Sequence, residues 1–270
     1  MTIAPIKIMA VINVTPDSFS DGGKYATVEA ALSHAHQCVT EGADILDIGG
    51  ESTRPYSDPV SIEDELNRVL PVIDAIRGDN ISTPISIDTM KAEVARQALE
   101  HGANIINDVS ALRGDPDMIA VVRESHVPVI IMHMLGKPKT MQDHPEYENV
   151  VEELLEFFRE RIQWITEQGV DRERLIIDPG IGFGKSLQHN LSLLKHLKRF
   201  SSLGLPVLLG HSRKRFLGNI TGITAEPDRD LATALVTALC SASTISMVRV
   251  HNVAATRQAL QVAEAIRQAK

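Results

Sequence analysis

The sequence predicts an α/β protein, a (β/α)8 TIM barrel with its active site at the carboxyl ends of the strands. Two observations predict it. Eight short apolar runs alternate with helix-period segments, and most of those runs end on a polar side chain. "IMAVIN" ends at Asn13, "ISID" at Asp88, "IIND" at Asn107 and Asp108, and "VIIMH" at His133. "LIID" ends at Asp178, and "MVRVH" carries Arg249 and His251. Polar groups gathered at the C-terminal ends of parallel strands are how such a barrel builds a site. A doubly wound open sheet also alternates strands with helices and is the structural alternative.

Taken in order, the first run, 6–13, is apolar at nearly every position, as a parallel strand covered on both faces is. The connection "NVTPDSFSDGGKY" separates it from the next helical segment, and "GGESTRPYSDPVS" follows the second run, 45–48. Both are long for strand-to-helix loops, which usually take a few residues. Their Gly, Pro, Ser and Asp content on the active-site face marks them as ligand loops. Ile62, Leu66, Val69, Ile73 and Ile76 then share one helix face, with Ser61 and Asp64 placed like a capping box. Run 85–88 leads into a second stripe, Val94, Ala95, Ala98 and Leu99. Runs 105–108 and 129–132 precede the clearest stripe, Val151, Leu154, Leu155, Phe158, Ile162 and Ile165. Runs 175–178, 207–209 and 247–250 complete the set, and Ala259, Ala263 and Ile266 give a closing helix. No low-complexity linker interrupts the series, so residues 1–270 read as a single domain.

The net charge of −8 argues against a non-specific nucleic-acid surface. No stretch is long and apolar enough to span a bilayer, and "MTIAPIKIMAVINV" lacks the basic segment of a secretory signal. Cys38 and Cys240 have no metal-ligand spacing and read as buried thiols of a reducing compartment. A cytoplasmic enzyme is the expected class.

The strand ends suggest two kinds of chemistry. Arg249 and His251 are two apart, so both point to one side of the last strand. Lys214 in "HSRKRFLG" and Arg54 in the second loop add cations, and together they suit a phosphate or diphosphate. Taken singly, each could be a surface ion pair. Asp88, Asn107 and Asp178 end three strands and would line the mouth. Carboxylates accepting paired N–H groups, beside an amide that both donates and accepts, suit a pterin or guanine ring. The alternative is that they cap the helices that follow. Asp108, directly after Asn107, should face the other way and is left out of the set. Phe183, in the glycine-rich "DPGIGFGKS", and Met132 are candidate apolar walls for a flat ring. No three-histidine metal constellation is visible, so a metal here would be Mg2+ held largely by a substrate diphosphate.

Eight motifs in order then carry a resemblance. "MAVINVTPDSFSDGG", "DILDIGGESTRP", "ISIDT", "IINDVSAL", "HMLGKPKTMQ", "IIDPGIGFGK", "GHSRKRFLG" and "VRVHNV" make the chain resemble the dihydropteroate synthase family over nearly its whole length. The resemblance implies condensation of (7,8-dihydropterin-6-yl)methyl diphosphate with 4-aminobenzoate, giving 7,8-dihydropteroate and diphosphate in folate biosynthesis. It assigns Asp88, Asn107, Asp178 and Lys214 to the pterin, with Met132 and Phe183 packing near it. It assigns Asn13, Arg249 and His251 to the diphosphate and its Mg2+, with Asn13 as the metal contact. Catalysis would fall to Asp88, Lys214, Arg249 and His251. Thr15, Pro16, Asp17, Ser18 and Phe19 fall in the first loop; Thr53, Arg54 and Pro55 in the second. Ser212 lies near the aminobenzoate, where sulfonamides would compete. A homodimer is implied as well. Asn252 stands where the family commonly has Asp, which bears on the charge of His251. Two alternatives are a catalytically silent pterin-binding paralogue and a pterin-dependent methyltransferase with a corrinoid partner. A sugar-phosphate barrel enzyme would explain the cations but not the acid and amide set.

Overall fold

The computed structural model describes residues 5–14, 23–53, 57–136, 139–243 and 245–269, with the backbone alone at 23–27. Strand and helix alternate from β1 (Lys7–Asn13) and α1 (Gly23–Glu41) through β2 (Ile45–Gly49) and α2 (Ile62–Gly78). β3 (Ile85–Asp88), α3 (Ala92–Glu100), β4 (Ile105–Asp108) and α4 (Met118–Ser125) follow. Next come β5 (Val129–Met132), α5 (Val150–Glu167), β6 (Leu175–Asp178) and α6 (Leu187–Lys195). β7 (Leu208–Leu209), α7 (Arg215–Thr221), α8 (Asp230–Cys240), β8 (Met247–Val250) and α9 (Val253–Gln268) complete the order. The sheet runs β6-β5-β4-β3-β2-β1-β8-β7, all parallel. An isolated parallel bridge from Ile177 to Val207, with the Ile177 N–H on the Pro206 carbonyl at 3.0 Å, joins β6 to β7. The ring is thereby closed as a (β/α)8 barrel.

Strand parity divides the apolar residues into two cores. Ile8, Ala10, Ile12, Leu46, Ile48, Ile87, Ile106, Ile131, Ile177 and Val248 belong to the large cluster between strands and helices. Met9, Ile45, Ile105, Ile130, Leu208 and Met247, with Ile176, form a separate cluster inside the barrel. Those interior residues sit near the amino ends of their strands and plug the lumen, so the polar residues two positions later rest on an apolar floor. The stripe of α5 is buried throughout. Cys38 and Cys240 are free and buried, and burial pushes the Cys240 thiol up to about 11.

Three local expectations change. Ser61 caps α2 by accepting from the Asp64 N–H, but the Asp64 carboxylate takes the Ser61 hydroxyl at 2.6 Å. The stripe of α2 buries Val69, Ile73 and Ile76, while Ile62 at its first turn is exposed. The closing helix α9 buries Val253 and Thr256 instead of its later apolar residues, and Ile266 is 72% exposed. The far end of α9 lies beside the end of α8, where Arg267 donates to the Ser241 carbonyl at 3.0 Å.

Candidate active site

Asn107 on β4, Asp47 on β2, Arg249 on β8 and Asp88 on β3 form one hydrogen-bonded chain. Arg249 donates from Nε to Asp47 Oδ2 (2.5 Å) and from Nη2 to Asp88 Oδ2 (2.7 Å). The Asn107 amide lies 3.3 Å from Asp47 Oδ2. β8 and β3 are separated by β1 and β2 in the sheet, so these side chains meet across the lumen. Register agrees: Asp88 pairs with Asn107 and with Gly49, and Asp178 pairs with Met132. Asp88 Oδ1 is buried without a hydrogen-bond partner among the described residues, an acceptor left over in the lumen.

Burial and charge set the acids close to neutrality. Burial pushes the Asp88 carboxyl up to about 7; Arg249 opposes the rise, and Asp47, Glu65 and Asp108 add to it. Burial likewise lifts Asp178 to about 6, against the Gly180 N–H and the cations of Lys214, Lys185 and Arg249. Burial lowers the Arg249 guanidinium, but Asp47 and Asp88 outweigh it and hold the group charged. The lumen therefore carries carboxyls that are costly to ionise alone and receptive to N–H donors.

Above the lumen, the glycine-rich turn after β6 supplies a wall. Gly180 has φ +67°, and a Cβ there would stand 2.0 Å from the His133 carbonyl oxygen. That close approach lets the Gly180 N–H reach Asp178 Oδ1 at 2.8 Å. Phe183 is buried with Met132, Met134, Met141 and Val109. Lys214 Nζ lies 3.8 Å from the centre of its ring, a cation–π contact that brings the ammonium to the mouth beside Asp178. Gly210 faces Asp178, where an added Cβ would come within 3.0 Å of Oδ2, so the strand end leaves that carboxylate uncovered.

At the rim, Ser212 Oγ lies 2.9 Å from His251 Nδ1 and accepts the His251 N–H at 3.1 Å. Burial pushes the imidazole down to about 3; Arg213, Arg249 and Lys214 push the same way and Asp230 opposes. His251 is thus a neutral ring at physiological pH. Asn252 accepts from the Ala255 N–H, capping α9, and donates to Asp230 Oδ2 at 3.0 Å. Its amide is committed to the helix and to Asp230. Asp230 also takes Arg213 in a two-point pair at 2.6 and 2.8 Å.

The structure brings together Asp88, Asn107, Met132, Asp178, Phe183, Lys214 and Arg249 in the lumen and mouth, with Ser212 and His251 at the rim. Asn13 ends β1 opposite Gly49, and Thr53 follows β2. Thr15, Pro16, Asp17, Ser18, Phe19, Arg54 and Pro55 lie outside the described residues. Next to the second loop, Lys91 bridges Glu51 and the fully buried Glu65, and Ser57 Oγ donates to the Ser52 carbonyl at 2.5 Å. Among the described residues no group of three His, Cys, Asp or Glu side chains is disposed to hold a metal ion.

Two strand-end polar groups turn outward. Asp108 accepts from the Ser110 and Leu112 N–H groups at 2.7 and 3.0 Å and shapes the loop after β4. His133 packs edge-on against Phe157 at 4.8 Å, and burial pushes it down to about 2. Two residues escape the sequence reading. Asp47 stands inside an apolar run instead of at its end, yet shares its parity with the lumen residue Ile45. Lys185, in "GFGK", is buried and donates to the Phe183 carbonyl at 2.9 Å and the His133 carbonyl at 3.3 Å. It ties the glycine turn to the end of β5. A buried lysine runs against composition statistics, and no pattern signals it.

The model of a pterin-binding enzyme family matches residues 9–251. A dihydropteroate synthase of Escherichia coli (strain K12) is 43% identical over 265 residues, 97% of this chain and 92% of that one. The solved dihydropteroate synthase of Xanthomonas albilineans with 4-aminobenzoic acid superposes with a TM-score of 0.93. It is 46% identical and covers 100% of this chain and 96% of its own. The same enzyme in complex with 7,8-dihydropteroate gives a TM-score of 0.90 at 44% identity, covering 100% and 97%. With a lumen of acids and an amide, a cationic mouth and these likenesses, the chain belongs to the pterin-binding enzyme family.

Proposed function

We propose that this chain is a dihydropteroate synthase, a transferase that joins 4-aminobenzoate to (7,8-dihydropterin-6-yl)methyl diphosphate in folate biosynthesis. The observation that carries the reading is the juxtaposition of Asp88, Asn107 and Asp178 in a plugged lumen with Lys214, Arg249 and His251 at its mouth. A heterocycle seated on the acids would place its methylene among the cations of Lys214 and Arg249 and the neutral ring of His251. Asp178 and Asn107 fix the ring edge, Phe183 and Met132 pack against it, and Lys214 bridges ring and rim. The methylene C–O bond breaks, its electron pair leaving on the diphosphate between Arg54, Arg249 and His251. Asp88 stabilises the positive charge that spreads into the ring. The arylamine lone pair then forms the C–N bond, and the nitrogen passes its proton to the departing diphosphate. Thr53 and Pro55, with Phe19 and its loop, exclude competing water, and Ser212 lies beside the aminobenzoate.

The donor set suits Mg2+ sparsely held by protein: Asn13 offers one amide oxygen, and the hard cation would take its other ligands from diphosphate and water. When bound, it neutralises charge on the departing diphosphate. A cytoplasmic enzyme fits, and no helix among the described residues is long and apolar enough to cross a membrane.

We also infer a homodimer. Leu231, Leu235 and Leu239 recur every fourth residue along α8 and are 71%, 57% and 80% exposed. With Val262 and Ile266 of α9 they make an apolar face that a second copy would cover.

Turnover tests the enzyme reading. Purified protein with Mg2+ and both substrates should release diphosphate in step with dihydropteroate, depend on 4-aminobenzoate, and be inhibited competitively by a sulfonamide. Tight pterin binding without turnover would overturn it in favour of a silent paralogue.

A further inference from the structure

Asp47 is the fully buried member of the lumen chain. Its carboxylate lies beneath the mouth and serves two groups at once, the Nε–H of Arg249 (2.5 Å) and the Asn107 amide (3.3 and 3.4 Å). Both partners belong to the site described above, one reaching toward the rim and one on the wall. The neighbouring strand positions are Val11 on β1 and Ser86 on β3, neither charged; the ionic partner of Asp47 is Arg249, which comes from the row of Met9 and Ile45, one layer below. Arg249 is planar and has separate donors for separate acceptors. Held at Nε, its remaining N–H groups can turn about that fixed point, and one of them now rests on Asp88 Oδ2.

We propose that Asp47 is a positioning residue for this reaction, a pivot that keeps the Arg249 guanidinium at the mouth and Asn107 on the wall without touching substrate. The inference rests on the synthase reading. A substrate N–H would take the unpartnered Asp88 Oδ1 and draw charge from Oδ2, weakening the contact of Nη2 and leaving Nε on Asp47. The freed Nη2 then turns to the leaving diphosphate while the guanidinium stays anchored. The two halves of the substrate are thus coupled: seating the ring on Asp88 releases the donor that the diphosphate needs.

The test uses the full chain and steady-state kinetics. Asp47→Asn keeps the shape and an acceptor oxygen but removes the charge. It should raise KM for the pterin diphosphate roughly 10- to 100-fold, the cost of weakening a hydrogen bond to an ion. KM for 4-aminobenzoate and the thermal midpoint should stay near wild type. Asp47→Leu, which keeps neither partner, should be worse than Asp47→Asn. In a double-mutant cycle with Arg249→Lys, the two losses should be strongly non-additive, because both act through one contact. An active wild type whose Asp47→Asn variant keeps both KM values, or whose cycle is additive, overturns the proposal; an inactive wild type refutes the synthase reading on which it rests. Should Asp47 variants fail to fold, the wild-type Nε–H resonance of Arg249 decides. It should exchange slowly with and without a bound pterin, and loss of that protection on pterin binding overturns the pivot.

Discussion

Asp178 accepts the Gly180 N–H, faces Gly210 at the end of the neighbouring strand, and is held near 6 by burial. A carboxyl whose folded value lies above its ordinary one costs stability when ionised. The cost is absent below the unfolded value, about 4, grows as pH rises toward 6, and is full above that. Asp178→Asn keeps an acceptor for Gly180 and removes the charge. Its thermal midpoint should therefore exceed wild type at about pH 8 and converge with it toward about pH 4. Pterin affinity should fall at least tenfold in the same variant, about the worth of one charge-assisted hydrogen bond. Calorimetry across pH, with titration of a pterin, measures both. At this scale the sequence was legible where a polar residue closed an apolar run and its parity was known. Asp88, Asn107 and Asp178 met that condition, and Asp108 was set aside by the same rule. Asp47 did not, because a carboxylate within a strand gives no end to read.

The strand boundaries follow from runs too short for helices, and all eight agree to within a residue at each end. β7 shrinks to two residues because Pro206, just before it, has no N–H for the ladder and Val207 makes only an isolated bridge. The glycine turn after β6 is an element whose conformation no other residue accepts. Gly180→Ala forces an L side chain into φ +67° against a backbone oxygen. It should destabilise by about 2 kcal/mol or more in chemical denaturation and displace Asp178, lowering pterin affinity along with stability. The α5 stripe was the plainest helix signal and is buried as its period predicts. Phe158, fully buried between Phe157 and Phe200, should cost about 3–5 kcal/mol on change to Ala, with the folded fraction still active. What the sequence could not show was which apolar stripe meets the barrel: α9 has a helical period, but Val262 and Ile266 face outward.

For the whole molecule, the barrel explains why distant motifs act together. Residues 47, 88, 107 and 249 come from four strands, and closure of the sheet puts them within hydrogen-bond reach. The count of eight alternating units pointed to closure without deciding it against an open sheet, and the pairing of Arg249 with Asp47 and Asp88 left no signal, because it depends on where a long side chain crosses the lumen. The exposed leucines of α8 give the assembly prediction. Leu235→Asp combined with Leu239→Asp should turn a dimer into a folded monomer in sedimentation at micromolar protein, with little change in thermal midpoint of the isolated fold. A wild-type monomer would contradict the homodimer. The central claim is a division of labour between a lumen that holds the ring and a rim that holds the anion. Titration calorimetry with two probes, a pterin lacking diphosphate and inorganic diphosphate with Mg2+, tests it on Asp178→Asn and His251→Gln. The account predicts that Asp178→Asn loses the pterin and keeps diphosphate, while His251→Gln does the reverse; both variants losing both probes equally, or neither, would contradict it.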